Sequence, residues 1–283
     1  MPLTSIKSSP EVDESIEVRP GFEMHGRPRI SFLGCRIDDI TLSEAVMLSR
    51  DAMEKRYRLQ HGDFNVAKFI DCKRDHDLLR FAEESDLVCA DGMGVVWGSR
   101  LLGAPLRERV SGCDFMMRLI DLCGREGFRP YFLGATPEVL EAAVVQARRN
   151  SPGLDVAGWH HGYFDRKQEL DIVADIRASR ADCLFVGIST PIKERFLNQY
   201  RDLLNVPVQL GVGGSFDVLA GRVRRAPQWM QRIGLEWFYR FAQEPARLWR
   251  RYLFTNTHFA VVMILALADR VRQQLLPQSR QAS

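Results

Sequence analysis

Four stretches of the chain repeat one order of events: "LVCADGMGVVWGSRLL" from Leu87, "PYFLGATPEVLEAAVVQARR" from Pro130, "CLFVGISTPIKERFLNQY" from Cys183 and "VQLGVGGSFDVLAG" from Val208. Each is a short apolar run that stops at Gly, Asp, Ser or Thr and passes at once into a helical pattern. Strands joined through helices pair in parallel, because a right-handed crossover brings the chain back to the same end of the sheet. The succession predicts an α/β fold: a Rossmann-like parallel sheet flanked by helices. Loops that follow such strands gather at one edge, where helix N-termini offer unpaired N–H groups and partial positive charge, so a ligand site is expected there.

Local signals place the boundaries. Residues 1–28 contain no apolar segment of the kind a signal peptide needs and read as a loose arm. "RISFLGCRI", from Arg29, reads as a strand. In "TLSEAVMLSRDAMEKRYR", Thr41 with Glu44 three residues later forms a capping-box pattern. Thr136 before Pro137, and Thr190 before Pro191, read as N-cap and first helical residue. Residues 29–221 then form the catalytic domain, and a basic helical appendage occupies residues 222–283. The six cysteines form no CxxC pair and fall mostly in apolar segments, which argues for free thiols over zinc or disulfides.

Charge separates the two parts. Between Arg222 and Arg272 lie ten arginines against Glu236, Glu244 and Asp269, although the whole chain carries only +3, so the body is slightly acidic. The same region carries Trp229, Trp237, Phe238, Phe241, Leu248, Trp249 and Tyr252 as an apolar side, with breaks expected at Pro227, Gly234 and Pro245. Arginine with tryptophan and tyrosine on helices suits a membrane interface or an anionic cleft. The aromatic residues fall at helix-packing positions, which argues against a base-stacking platform for nucleic acid. The run from Phe259 to Ala268 is too short to span a bilayer but long enough to dip into a leaflet or to cover the domain, and no window reaches the roughly 18 consecutive apolar residues a span requires.

The chemistry-bearing motifs are few. "GVGGSF" and "DGMGVV" both miss GxGxxG, and Walker A, HExxH and GxSxG words are absent. No cofactor or metal is implied, so a bound diphosphate would rely on arginines and helix N-termini. His160 and His161 read as structural residues beside aromatics. Asp91 stands out: it ends an apolar strand and precedes Gly92 at the ligand edge, where partial desolvation would raise its basicity. Position alone leaves helix capping open as its role.

Taken together, "DFNVAKF", "ADGMGVVWGSRLLG", "ERVSGCDF", "YFLGATPE" and the block from "GVGGSFDVLAGRVRRAP" through "GLEW" and "QEP" resemble the WecG/TagA/CpsF family of bacterial glycosyltransferases, from about Ile30 to Tyr252. The resemblance implies a metal-independent, inverting transfer of a sugar from a UDP-sugar to an undecaprenyl-diphosphate-linked saccharide. The setting it implies is the cytoplasmic face of the inner membrane, with the protein bound peripherally, in surface or exopolysaccharide synthesis. It assigns Asp91 as the base that takes the acceptor hydroxyl's proton. Asn65 and Arg109 match residues that hold the sugars and the leaving diphosphate, and Asp217 matches an acidic pocket position. Arg240, Arg247 and Arg250 match arginines of an appendage that closes over the pocket. Thr136 and Glu194, on loops of the same edge, join the substrate-binding candidates.

Two words depart from the family pattern. Thr-x-Asn is replaced by Asp63, Phe64, Asn65, and Ser-Pro-(Lys/Arg)-Gln-Glu by Thr190, Pro191, Ile192, Lys193, Glu194. An acid and a base introduced on neighbouring loops are expected to pair in the pocket wall, because an unpaired buried charge costs several kcal/mol. Such a pair would alter the sugar contacts, leaving the donor open among N-acetylmannosamine, glucose and related hexoses. A nucleotide-dependent oxidoreductase and a non-catalytic membrane scaffold are the competing readings, and the sequence leaves homo-oligomerisation open.

Overall fold

The computed structural model of the protein describes residues 28–275. The expected N-terminal arm, apart from its last residue, and residues 276–283 lie outside the described residues. The chain opens with strands β1 (Arg29–Phe32) and β2 (Cys35–Asp38), helix α1 (Leu42–Lys55), strand β3 (Leu59–Phe64), helices α2 (Val66–Cys72) and α3 (His76–Glu84) and strand β4 (Leu87–Ala90). Helices α4 (Met93–Leu101) and α5 (Gly112–Glu126) lead to β5 (Pro130–Gly134), α6 (Pro137–Asn150), β6 (Gly158–His160), α7 (Glu169–Ala178), β7 (Cys183–Gly187), α8 (Ile192–Tyr200), β8 (Val208–Gly211) and α9 (Ser215–Leu219). Three helices close the described residues: α10 (Gln228–Arg232), α11 (Glu236–Gln243) and α12 (Pro245–Leu275).

Strands β3 to β8 form one six-stranded sheet in the order β4-β3-β8-β7-β5-β6, parallel throughout. Helices cover both faces, which is why β4, β5 and β8 are buried at every residue and read as continuous apolar runs. Alternation then assigns side chains to faces. Phe132 and Phe185 join Phe115 of α5 and Phe216 of α9 on one side, while Tyr131, Leu184 and Val186 join Ile176 of α7 and Phe196 of α8 on the other. The Rossmann-like expectation holds.

"RISFLGCRI" is two strands and a turn, not one strand. Leu33 (φ 51°) and Gly34 (φ 87°) both adopt left-handed backbone, closing a two-residue hairpin that pairs Phe32 with Cys35 in its own small sheet. The apolar pattern runs through the turn because Phe32 and Ile37 are both buried, so periodicity alone does not reveal the reversal. Thr41 and Thr136 cap α1 and α6 as expected. Thr190 does not cap α8, which begins at Ile192 with Pro191 before it; the Thr190 hydroxyl instead donates to Glu194 Oε1 (3.0 Å).

The breaks at Pro227, Gly234 and Pro245 fall where α10, α11 and α12 begin. The long last helix corrects the expectation of a short apolar run. Leu248–Arg272, of mean hydropathy 1.4, is long and apolar enough to cross a membrane by length and composition, with 11% of its apolar window buried. Counting consecutive apolar residues misses it because Thr255 to His258 interrupt the run without lowering the average enough to matter. One side of this helix lies on the domain: the Phe259 ring meets Phe32 and Phe69 at 6.5 and 6.4 Å between centroids, Met263 is buried, and Arg270 donates to the Leu101 carbonyl (2.7 Å). Leu253, Ile264 and Leu265 on its other side are exposed.

Candidate active site

Asp91 continues the sheet one residue beyond β4. Its N–H donates to the Phe64 carbonyl (2.8 Å), and the next segment is tied in by the Val110 N–H on the Ala90 carbonyl (2.9 Å). Gly92 follows with φ +125°, a conformation that strains any side-chain-bearing residue, and turns the chain into α4. No side chain caps α4, and the Asp91 carboxyl accepts no hydrogen bond from the described residues, so helix capping is not its role. Burial, with the Asp63 carboxylate as the strongest neighbouring charge, pushes its pKa from the ordinary 3.8 up to about 6, against the pull of Arg109 and Lys68.

Asn65 sits beside it at the end of β3. Its side-chain oxygen caps α2 by accepting from the Lys68 N–H (3.0 Å), and its Cβ lies 3.9 Å from where a Cβ on Gly92 would stand. Two strand ends and two helix starts thus meet at this point, as parallel α/β packing requires.

The expected Asp63–Lys193 pair exists, with Lys193 Nζ 3.4 Å from Asp63 Oδ1, but it is half of a larger cluster. Lys68 Nζ reaches the same oxygen at 2.5 Å and Glu194 Oε1 at 2.8 Å, and Lys193 approaches Glu194 Oε1 at 3.5 Å. Two acids and two bases balance in a buried quartet. Burial on its own would favour a neutral Asp63, but Lys193 and Lys68 outweigh it and hold the carboxyl well below the carboxylate range. Burial likewise opposes the Lys68 charge, and Asp63 with Glu194 raises its pKa regardless. One strand position earlier on the same face, the buried His61 stands edge-on to Phe115 (5.2 Å) with neither ring nitrogen partnered; burial pushes its pKa down to about 3, so it is neutral.

Arg109 is held in an ion pair. Its Nη1 donates to Glu236 Oε2 of α11 (2.7 Å), with Gln231 Oε1 and Asp114 Oδ2 each 3.5 Å from Nη2. Arg225 repeats the arrangement, pairing with Asp114 at both nitrogens and with Glu236 (3.3 Å) and Gln231 (2.8 Å). This second cluster joins the α/β domain to the appendage.

The other candidates divide. Arg240 lies against the β8–α9 loop: its Nη2 stands 3.3 Å from where a Cβ on Gly214 would be, with Asp217 Oδ2 3.7 Å from the same point. Thr136 is committed to capping α6. Arg250 stacks on Trp249 (5.2 Å) at the start of α12, on the exposed surface. The side chain of Arg247 lies outside the described residues. His160 Nδ1 donates to the His161 carbonyl (2.8 Å), and the ring packs on Phe164, a structural arrangement. All six cysteines are free thiols.

Sequence reading missed Lys68, Asp114, Arg225 and Glu236. One signal was present for Lys68: it is the third residue of α2, where the helix dipole disfavours a cation. A lysine there implies a carboxylate partner.

An N-acetylglucosaminyldiphosphoundecaprenol N-acetyl-β-D-mannosaminyltransferase of Bacillus spizizenii is 38% identical over 179 residues, 63% of this chain and 68% of the relative. Proteins of the same name from Bacillus subtilis (36% over 181 residues; 64% and 69%) and Staphylococcus aureus (33% over 172 residues; 61% and 67%) are also similar. The profile of the glycosyl transferase WecG/TagA/CpsF family matches residues 30–274, nearly all that the structure describes. The chain therefore belongs to the WecG/TagA/CpsF family and is a glycosyltransferase, neither the oxidoreductase nor the inert scaffold that its sequence also allowed.

Proposed function

We propose that the protein transfers a hexose-type sugar, with inversion, from a UDP-sugar to an undecaprenyl-diphosphate-linked saccharide at the cytoplasmic membrane surface. The observation that carries this reading is Asp91: a carboxyl with no hydrogen-bond partner among the described residues, at the ligand edge of the sheet, with its pKa pushed up to about 6. A base of that strength is ionised at neutral pH yet keeps a real affinity for a proton. As the acceptor hydroxyl oxygen bonds to the anomeric carbon, its proton passes to Asp91. The bond from that carbon to the donor's diphosphate breaks, and the electron pair leaves with the diphosphate. Attack opposite the leaving group gives the inverted product.

The acceptor class follows the names of the relatives, and their N-acetylmannosaminyl donor is the first to test. Within the charged quartet, Asp63 and Lys193 stand where the family pattern has neutral groups, which is why glucose and related hexoses belong in the same screen. Peripheral membrane binding is supported by exposed Trp229, Trp237, Phe238 and Trp249 on α10 to α12, beside a strongly basic sequence.

A screen of UDP-sugars with a lipid-diphosphate N-acetylglucosamine acceptor, reading released UDP, tests the proposal. Acceptor-dependent UDP release is expected with at least one donor, and none with any donor overturns it. Asp91→Asn should lower turnover by roughly 10²–10⁴ while UDP binding persists, whereas wild-type turnover in that variant rejects the assignment of the base.

A further inference from the structure

Asp63 and Asp91 share one face of the sheet. Asp63 pairs in register with Cys89, and Asp91 lies two residues beyond Cys89 on a ladder that its own N–H extends to Phe64. Side chains two residues apart on a strand point the same way, and residues in register do too. The two aspartates are therefore diagonal neighbours on adjacent strands, their α-carbons about 8 Å apart from strand spacing and rise. Asp63 cannot relax by taking up a proton, because two ammonium groups converge on its Oδ1 at 2.5 and 3.4 Å.

We propose that Asp63 is a positioning residue for the transfer: its carboxylate, kept ionised by Lys68 and Lys193, faces the base Asp91 and holds its proton affinity above that of an ordinary carboxylate. The inference rests on the reading of Asp91 as the base. The charged groups that bear on Asp91 are Asp63 from β3, Lys68 from α2, Arg109 from the segment before α5, and Glu236 from α11. Arg109 and Glu236 are paired with each other at 2.7 Å, so their effects largely offset. Asp63 and Lys68 are also paired, but of all these charges Asp63 acts most strongly on Asp91, so the quartet is neutral in sum and negative as the base feels it. His61, the remaining titratable group on this face of β3, is uncharged.

The test uses paired substitutions with opposite expected signs. Asp63→Asn removes the negative charge and should move the acid limb of the kcat/KM profile down by about one pH unit from its wild-type position near 6. Lys68→Met leaves Asp63 ionised by Lys193 and should move the limb up. The double variant Asp63→Asn, Lys193→Gln keeps a balanced Lys68–Glu194 pair, so it serves where the single variant does not fold, and should also move the limb down. The carboxyl titration of Asp91 is followed in parallel by infrared difference spectroscopy against Asp91→Asn, on protein without substrate. An unchanged titration in folded Asp63→Asn, or shifts of one sign in both Asp63→Asn and Lys68→Met, overturns the inference. Absence of turnover with every donor bears on the proposed transfer alone, since the infrared titration does not require it.

Discussion

Two charge-balanced clusters flank Asp91, and they differ in what they hold together. The quartet of Asp63, Lys68, Lys193 and Glu194 is drawn from β3, α2 and α8, all inside the α/β domain, with the Glu194 side chain only 1% exposed. The cluster of Arg109, Asp114, Arg225 and Glu236 bridges that domain to the appendage, and its acids are about a third exposed. The first is a fixed electrostatic environment. The second is a set of contacts that water and salt can replace, because partly exposed ion pairs contribute little net stability and are readily screened. A basic side chain beside a carboxylate therefore does different work on the two sides of Asp91.

Glu194→Ala should produce the largest change in stability. It leaves Lys68 and Lys193 to share Asp63 in a buried setting, and a loss of about 3–5 kcal/mol is expected in urea denaturation. Glu236→Ala is the matching substitution across the site. Arg109 keeps Asp114 as a neighbour and water can reach the gap, so about 1 kcal/mol or less should be lost. Equal losses in the two variants would erase the distinction between the clusters.

Asp91→Asn should stabilise the fold by up to about 3 kcal/mol at pH 8. The unfolded carboxyl ionises near 3.8 and the folded one near 6, so the penalty for carrying its charge in the folded state is fully present above 6 and absent below 3.8. The gain in Tm over wild type should accordingly shrink as pH falls through that window and vanish near pH 3.5. A gain independent of pH would show that the carboxyl's ionisation is not what strains the site.

The smallest effect on stability is expected at Arg250→Ala, where the cation stacks on Trp249 at the exposed start of α12. Denaturation should change by less than about 1 kcal/mol, while cosedimentation with vesicles rich in anionic phospholipid should weaken. Unaltered vesicle binding would remove this arginine from the proposed membrane surface.

The parallel sheet was legible because strands buried on both faces leave continuous apolar runs, and because Gly or Thr marks where each run gives way to a helix. Asp91 stood out as a carboxylate directly after such a run, with helix capping left open until the structure showed that no side chain caps α4. The hairpin at Leu33 and Gly34 was not, since its apolar alternation continues across the turn. The partner of Arg109 was equally hidden: Glu236 lies 127 residues later, and nothing local joins them. The length of α12 was obscured by weakly polar residues that break a run without breaking a helix.

By itself the sequence determined the order of strands and helices, the ligand edge and the candidate base, since these follow from local periodicity and from the chemistry of single residues at strand ends. It also determined that Asp63 and Lys193 needed partners. Only the tertiary structure decided that they meet at one oxygen together with Lys68, that Glu194 completes the balance, and that Arg109 faces the appendage. Charge is written residue by residue, but pairing depends on distance, and distance between residues far apart in the chain is set by how the sheet brings its strand ends together.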